Sequence, residues 1–385
     1  MRKAAKIYKK ENVYDAALKR MRYLFDEFPD VVVGFSGGKD STVVLNLALQ
    51  VAEEKDRLPL KVMFLDQEAE WQNVIDYVRE VMNDPRVEPM WFQMPFKLFN
   101  ATSNTEHWLQ CWNPDDEENW MRSKEPCAIT ENVYGTDRFA QLFTNILNHH
   151  FDGKACYLAG VRTQESPTRF MAVTSDATYK YLTFGKTLNK KKQQYTFYPI
   201  YDWSFTDVWK AIHDNGWQYT KIYDYQFQHG LSIRSMRVSN LHHETSVESL
   251  YYLEEVERET WNKLTKRLSG INTAGKLKSE FLRVKTLPFM FRDWKEYRDH
   301  LLKNLITEQE PKEAFTKKFN EMDNRYEDMH HKDVMYRVQV SALLANDFTF
   351  TKLINWERDP DVDTWRKWKR GITNEWTETN KYING

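Results

Sequence analysis

Between residues 13 and 28 the apolar positions Ala16, Leu18, Met21, Leu24 and Phe25 recur at helical spacing, and the pattern stops before Pro29. This spacing predicts an amphipathic helix that ends where proline removes the next backbone donor. "DVVVGF" follows, a short β-branched run of the kind that forms a strand buried on both faces. From Thr42, "TVVLNLALQVAEEK" carries a nearly all-apolar face and predicts a helix packed into the core. "PLKVMFLDQEAEW" repeats the pattern, with an apolar strand over Val62–Leu65 that ends at Asp66. "NVIDYVREVM" predicts the next helix and "VEPMWFQMP" the third strand. Strand and helix alternating at short spacing predict an α/β fold with a doubly wound, mostly parallel sheet.

Residues 100–150 break that rhythm. "WLQCWNPDDEENWMRSKEPCAIT" is polar, acidic and rich in tryptophan, and is expected to form an irregular insertion. The sheet resumes in "KACYLAGVR", a strand at about 154–160, and "QYTFYPIYDWSFTDVWKAIHDNG" adds strand, turn and helix. Beyond about residue 240 the pattern is helical, with amphipathic stretches at 245–268, 310–328 and 333–346. The expected organisation is a nucleotide-binding α/β domain over 1–240 and a helical C-terminal domain over 241–385.

Composition narrows the class. The 385 residues carry a net charge of −1, so nucleic acid would be held only by a local patch. Aromatic residues reach 15%, with 14 tryptophans, while glycine and proline number 13 and 12, which fits an ordered globular chain. Cys111, Cys127 and Cys156 form no C-x-x-C pair, so neither a disulfide framework nor a zinc ribbon is expected. The pairs His149–His150, His242–His243 and His330–His331 are adjacent in sequence and diverge on a helix or strand, so no pair chelates zinc alone. No run approaches the roughly 18 apolar residues of a membrane span, and the basic N-terminus has no signal-peptide core. A soluble, cytoplasmic protein without a membrane partner is expected.

The candidate chemistry lies in "VVVGFSGGKDSTVVL", residues 31–45. It is neither a Walker A loop nor a dinucleotide fingerprint. Gly34 and Gly38 stand one position too close for the first, Lys39 is followed by Asp40, and G-x-G-x-x-G is absent. What remains is S-G-G-x-D-S. Gly37 and Gly38 permit a tight turn with bare N–H groups, and the following helix aims its N-terminus at the same spot. Ser36 and Ser41 add hydroxyls, and Lys39 adds a point charge. An ordinary strand-to-helix turn capped by Asp40 and Ser41 is the plainer alternative.

Two further stretches belong with it. Asp66 stands at a strand's C-terminal end, where open α/β sheets bind ligands. It is a candidate for ribose, adenine or a magnesium ion, or for a loop-capping carboxylate, and Glu68 and Glu70 are weaker candidates. "AGVRTQESPTRF" sets Arg162 and Arg169 at another strand end, where guanidinium groups suit phosphate or sulfate oxygens. Glu165 would orient one of them, and Ser166 lies between. Asp202 closes the next strand, in "YPIYDW".

S-G-G-x-D-S resembles the PP-loop family of ATP pyrophosphatases. G-V-R-x-x-E-S-x-x-R followed by Y-P-I-Y-D-W resembles its phosphoadenosine-phosphosulfate-reductase-like branch. "LQCWNPD" and "RLSGI" point further, to a YbdN/IbrA-like subgroup. The resemblance implies ATP or a sulfated adenine nucleotide as ligand, with Mg²⁺ at Asp40 and Asp66. Ser36, Gly37, Gly38, Ser41, Asp66, Glu165, Ser166 and Asp202 would bind the nucleotide. Lys39, Asp40, Arg162 and Arg169 would act in cleavage between the α- and β-phosphates. It also implies a ParB/sulfiredoxin-like protein partner.

One departure separates the chain from true sulfonucleotide reductases, whose late segment carries a nucleophilic cysteine. The corresponding "KIYDYQFQHGLSIRSMRVSN" keeps Tyr223 and Gly230 but has no cysteine, and iron–sulfur ligands are absent as well. The leading expectation is therefore ATP-dependent adenylylation of an acceptor. The alternatives are a sulfonucleotide-processing enzyme using Cys111 or Cys127, and a non-catalytic, nucleotide-gated regulator. "WRKWKRG" (365–371) and the basic stretch 264–285 mark where nucleic acid would be gripped.

Overall fold

The computed structural model describes residues 9–100, 108–174, 177–233, 236–238, 240–243, 247–268, 270–271, 286–329 and 332–371. Its chain divides into two compact units, residues 1–97 with 110–238 and residues 98–109 with 239–385.

The first unit is built on the predicted alternation. Helix α1 (Val13–Glu27) is capped by the Asn12 side chain and buries Ala17, Leu18, Met21, Leu24 and Phe25. It leads to β1 (Asp30–Gly34), α2 (Lys39–Glu54), β2 (Leu60–Leu65), α3 (Gln72–Met82) and β3 (Val87–Phe92). Val31, Val32 and Val33 are buried, as expected for a strand covered on both faces. After β4 (Phe96–Phe99), β5 (Trp108–Cys111), β6 (Ala128–Ile129) and α4 (Phe139–His150) come β7 (Ala155–Leu158), α5 (Pro167–Thr174), β8 (Gly185–Asn189) and β9 (Gln194–Phe197). Helices α6 (Phe205–Asp214) and α7 (Ile222–Gln228) close the unit. Ser204 and Asp207 form a reciprocal cap at the start of α6.

The seven-stranded sheet has the order β6-β3-β2-β1-β7-β9-β8, with a separate pair β4-β5. All its pairings are parallel except β8 with β9. Strand order runs outward from β1 in opposite directions, through β2 to β3 and through β7 to β9. The loops leaving β1 and β7 therefore part company at the C-terminal edge, the crevice where open α/β sheets take ligands.

Where irregular chain is expected, at 100–150, the described residues form β5, the edge strand β6 and helix α4. The amphipathic signal of α4, which buries Leu142, Ile146 and Leu147, lies behind a long polar stretch, and β6 is only two residues long. Residues 101–107 lie outside the described residues.

In the second unit the expected helix at 245–268 divides at Glu257 into α8 (Val247–Val256) and α9 (Arg258–Arg267). Helices α10 (Trp294–Asn304), α11 (Gln309–Arg325), α12 (Lys332–Leu344), α13 (Thr351–Glu357) and α14 (Pro360–Lys369) follow. Phe315, Phe319, Met322, Tyr326 and Leu343 anchor its core. Residues 98–109 belong here, with Phe99 stacked on Trp108 at 4.3 Å and 5.7 Å from Phe348. Among the described residues no helix is long and apolar enough to cross a membrane.

The contact between β7's exit and α2's start leaves no room for a side chain. A Cβ on Gly160 would lie 2.8 Å from the Asp40 carbonyl carbon and 2.9 Å from Ser41 N. Both are backbone atoms and cannot rotate away. Gly160→Ala is expected to cost roughly 1–3 kcal/mol of stability, the usual range for overpacking, read by denaturant titration. An unchanged midpoint would contradict this account of the contact.

Candidate functional site

At the end of β1 the chain turns through Phe35–Gly38 into α2. Gly37 adopts φ +68°, and a Cβ there would lie 2.7 Å from Val74 Cγ1 on α3. Gly38 is the N-cap of α2 and supplies no side chain to its free N–H groups. The curl is held internally. Ser41 Oγ donates to the Gly38 carbonyl at 2.9 Å, accepts from Ser36 N at 3.2 Å and lies 3.1 Å from Ser36 Oγ. The N–H groups of Gly37, Gly38, Asp40 and Ser41 find no acceptor among the described residues. Clustered N–H groups at a helix N-terminus form an anion site.

Charged side chains surround this nest. Arg162 is 5% exposed and pairs with Asp40, while its Nη2 lies 3.3 Å from Glu165 Oε1. Glu165 also pairs with Arg169. Ser166 Oγ accepts from Arg169 N at 3.2 Å and caps α5. Lys39 is buried, with Nζ 3.3 Å from Asp40 Oδ2 and 3.3 Å from the Met236 carbonyl oxygen. Burial pushes its pKa down, with the Asp40 charge opposing and Arg162 adding to the fall. Arg237 adds a further cation close enough to act on both Lys39 and Arg169. Arg162, Arg169 and Arg237 thus outnumber the Asp40 and Glu165 carboxylates beside the N–H groups, while the Lys39 ammonium is held by Asp40 and the Met236 carbonyl.

The other expected ligands are engaged elsewhere. Asp66 is fully buried. Its Oδ1 accepts from Glu68 N at 2.9 Å and from Arg122, and its Oδ2 accepts from Trp91 Nε1 and Gln93 Nε2, each at 2.9 Å. Asp202 holds Arg20 of α1 through both oxygens, at 2.8 and 2.5 Å. Guanidinium groups occupy Asp40 and Asp66, so these two carboxylates do not fit a protein-held magnesium site. Among the described residues no group of three or more His, Cys, Asp or Glu side chains is arranged to hold a metal.

The tryptophan-rich stretch packs against the loop that follows β2. Trp112 N donates to Glu68 Oε2 at 2.7 Å and its Nε1 donates to the Asp66 carbonyl at 2.9 Å. Arg122 donates to the Glu68 carbonyl at 2.7 Å as well as to Asp66. Nothing in the spacing of "NWMRSKEP" marks Arg122 for this role. Tyr223 also has an unforeseen place, accepting from Lys39 N at 3.0 Å. In the C-terminal basic run, Arg366 and Lys367 pair with Asp363, and Lys369 pairs with Asp328. Residues 272–285 and His330–His331 lie outside the described residues.

The profile described as phosphoadenosine phosphosulfate reductase domain matches residues 30–229, which include the nest and every charged residue named around it except Arg237. The chain belongs to that family. A domain of unknown function, DUF3440, matches residues 230–353. The chain is 28% identical over 309 residues to Uncharacterized protein YbdN of Escherichia coli, covering 76% of this chain and 75% of that protein. It is 21% identical over 216 residues to adenosine 5'-phosphosulfate reductase of Anoxybacillus flavithermus, covering 56% and 76%. Among solved structures, phosphoadenylyl-sulfate reductase of Candida auris aligns with a TM-score of 0.35 at 12% identity, covering 62% of this chain and 99% of that one. FMN adenylyltransferase of Candida glabrata aligns with a TM-score of 0.36 at 12% identity, covering 57% and 62%.

Of the three thiols, Cys111 and Cys156 are buried and Cys127 is exposed. Cys111 is buried and donates to the Gln67 carbonyl at 3.4 Å. Burial pushes the Cys156 thiol well up, and desolvation followed by Glu125 raises that of Cys127. A thiol with a raised pKa is protonated near neutrality and is a weak nucleophile.

Beside Asp66, burial and then the Asp66 charge push the Glu70 carboxyl up to about 8 from its ordinary 4.5, with Arg122 opposing. The folded chain keeps this proton where the unfolded chain releases it. The stabilisation is complete below about pH 4.5 and is lost as pH rises toward about 8. Glu70→Gln is expected to flatten the fall in thermal midpoint across that window. An unaltered pH profile would show that Glu70 ionises normally.

Proposed function

We propose that the chain binds ATP at the β1–β7 crevice and transfers its adenylyl group to an acceptor, releasing pyrophosphate. The observation that carries this reading is the cluster of N–H groups of Gly37, Gly38, Asp40 and Ser41, without a protein acceptor among the described residues, beside the guanidinium groups of Arg162 and Arg169. In this reading the N–H groups and the hydroxyls of Ser36 and Ser41 hold the β- and γ-phosphates. Arg162 and Arg169 meet the α-phosphate and the charge that grows on its oxygens in the transition state. The acceptor's nucleophilic atom bonds to the α-phosphorus as the bond to the bridging oxygen breaks. Pyrophosphate leaves with that electron pair, already seated among donors. Magnesium, when it accompanies ATP, is carried on the nucleotide's own oxygens rather than on Asp40 and Asp66.

A second reading, binding of a sulfated adenine nucleotide, is favoured by membership of the reductase domain family. Reduction would need a thiolate to attack sulfur, and the raised thiols of Cys127 and Cys156 and the buried Cys111 count against that step. The two readings separate in calorimetry. ATP is expected to bind more tightly than 3′-phosphoadenosine phosphosulfate, and the reverse order would favour the second reading.

Turnover supplies the second test. With ATP and an extract containing the acceptor, AMP and pyrophosphate are expected to form. Arg162→Met is expected to cut that rate by about 100-fold or more, the scale of losing one oxyanion donor. A chain in which Cys111, Cys127 and Cys156 are all replaced by alanine is expected to keep it. ADP as the product, or activity lost with the cysteines, would contradict the proposal.

A further inference from the structure

A lysine in a phosphate loop is ordinarily assigned to the phosphate, but Lys39 is attached at both ends to another part of the chain. Its backbone N–H donates to the Tyr223 hydroxyl on α7, and its ammonium lies 3.3 Å from the Met236 carbonyl oxygen. The ammonium also sits over the Tyr223 ring, 5.2 Å from its centroid. The neighbouring Gly38 is bare on the side where a Cβ would be 3.3 Å from Val238 Cγ2 and 3.5 Å from the Tyr223 hydroxyl. α7 and residues 236–238 therefore lie directly against the start of α2. They belong to the stretch in which the resembling reductases carry their attacking group.

We propose that Lys39 is a positioning residue, a strut that holds α7 and residues 236–238 in register with the phosphate loop, and that it does not itself bind the phosphates. The inference rests on the reading of the loop as a polyphosphate site. A buried ammonium is costly unless oxygen acceptors replace its water. Lys39 finds them in Met236 and in Asp40, which also holds Arg162. One connected chain, Met236–Lys39–Asp40–Arg162, thereby ties three segments of the crevice together. Swinging Lys39 toward a phosphate would break the first link of that chain and free residues 236–238. The lysine's rank at the site is thus set by what it ties together.

The test uses the full chain, with ATP and inorganic pyrophosphate as probes. Lys39→Met keeps the aliphatic stem and removes the ammonium. Its affinity for both probes is expected to stay within about threefold of the parent. Amide exchange in peptides covering α7 and residues 236–238 is expected to quicken by about tenfold or more, with β1 and β2 peptides unchanged. Lys39→Arg, which still donates to the Met236 carbonyl, is expected to restore that protection. A loss of affinity of about tenfold with exchange unchanged would overturn the proposal and make Lys39 a phosphate ligand. Exchange that quickens equally in β1 and β2 would overturn it too, as general destabilisation. If the parent binds neither probe, the polyphosphate reading fails on its own, and the exchange and arginine rescue still decide the strut.

Discussion

The approach of two backbones at Gly160 governs the rest of the crevice. Strand β7 leaves the sheet so close to the first turn of α2 that a single methyl group would strike the Asp40 and Ser41 main chain. That contact brings Arg162, two residues on, within reach of Asp40. The ion pair then fixes the two loops that diverge at the point where the strand order reverses. Because Asp40 sits in the first turn of α2, its negative charge also suits the helix dipole.

A buried network around an anion site has to balance two demands. It must pair its own charges and, under the proposed reading, still leave a net attraction for a ligand. Asp40 and Glu165 meet the first demand by holding Arg162, Arg169 and Lys39. The excess of cations meets the second. The same economy explains the rim beyond β2, where Asp66 is spent on Arg122, Trp91 and Gln93. There the carboxylate organises a loop and anchors the tryptophan-rich stretch, which is why a metal or ribose role read from its position alone does not fit its surroundings.

Much of this was legible in the residue pattern. The apolar runs around Val31–Val33 and Val62–Leu65 announce buried parallel strands, and "SGGKDS" between strand and helix announces the tight turn into α2. Gly37 and Gly38 are readable because their chemistry is local. Gly160 and Tyr223 are visible as residues, but their roles depend on contacts 120 and 184 positions away in sequence, between Gly160 and Asp40 and between Tyr223 and Lys39. Asp202 and Asp66 show what position along the chain leaves out. Their places at strand ends suggest ligand contact, yet Arg20 and Arg122 claim them, and no spacing rule links either pair. Helix α4 and strand β6 were hidden by the polar, acidic run that precedes them.

The central claim is that the polyphosphate of an adenine nucleotide seats on the N–H groups after β1. A crystal structure with α,β-methylene ATP, which cannot be cleaved between its first two phosphates, tests it most directly. The account predicts β- and γ-phosphate oxygens within hydrogen-bond distance of the N–H groups of Gly37, Gly38, Asp40 and Ser41, and the α-phosphate facing Arg162. A nucleotide bound away from that loop, or seated with its phosphates pointing out of the crevice, would contradict it.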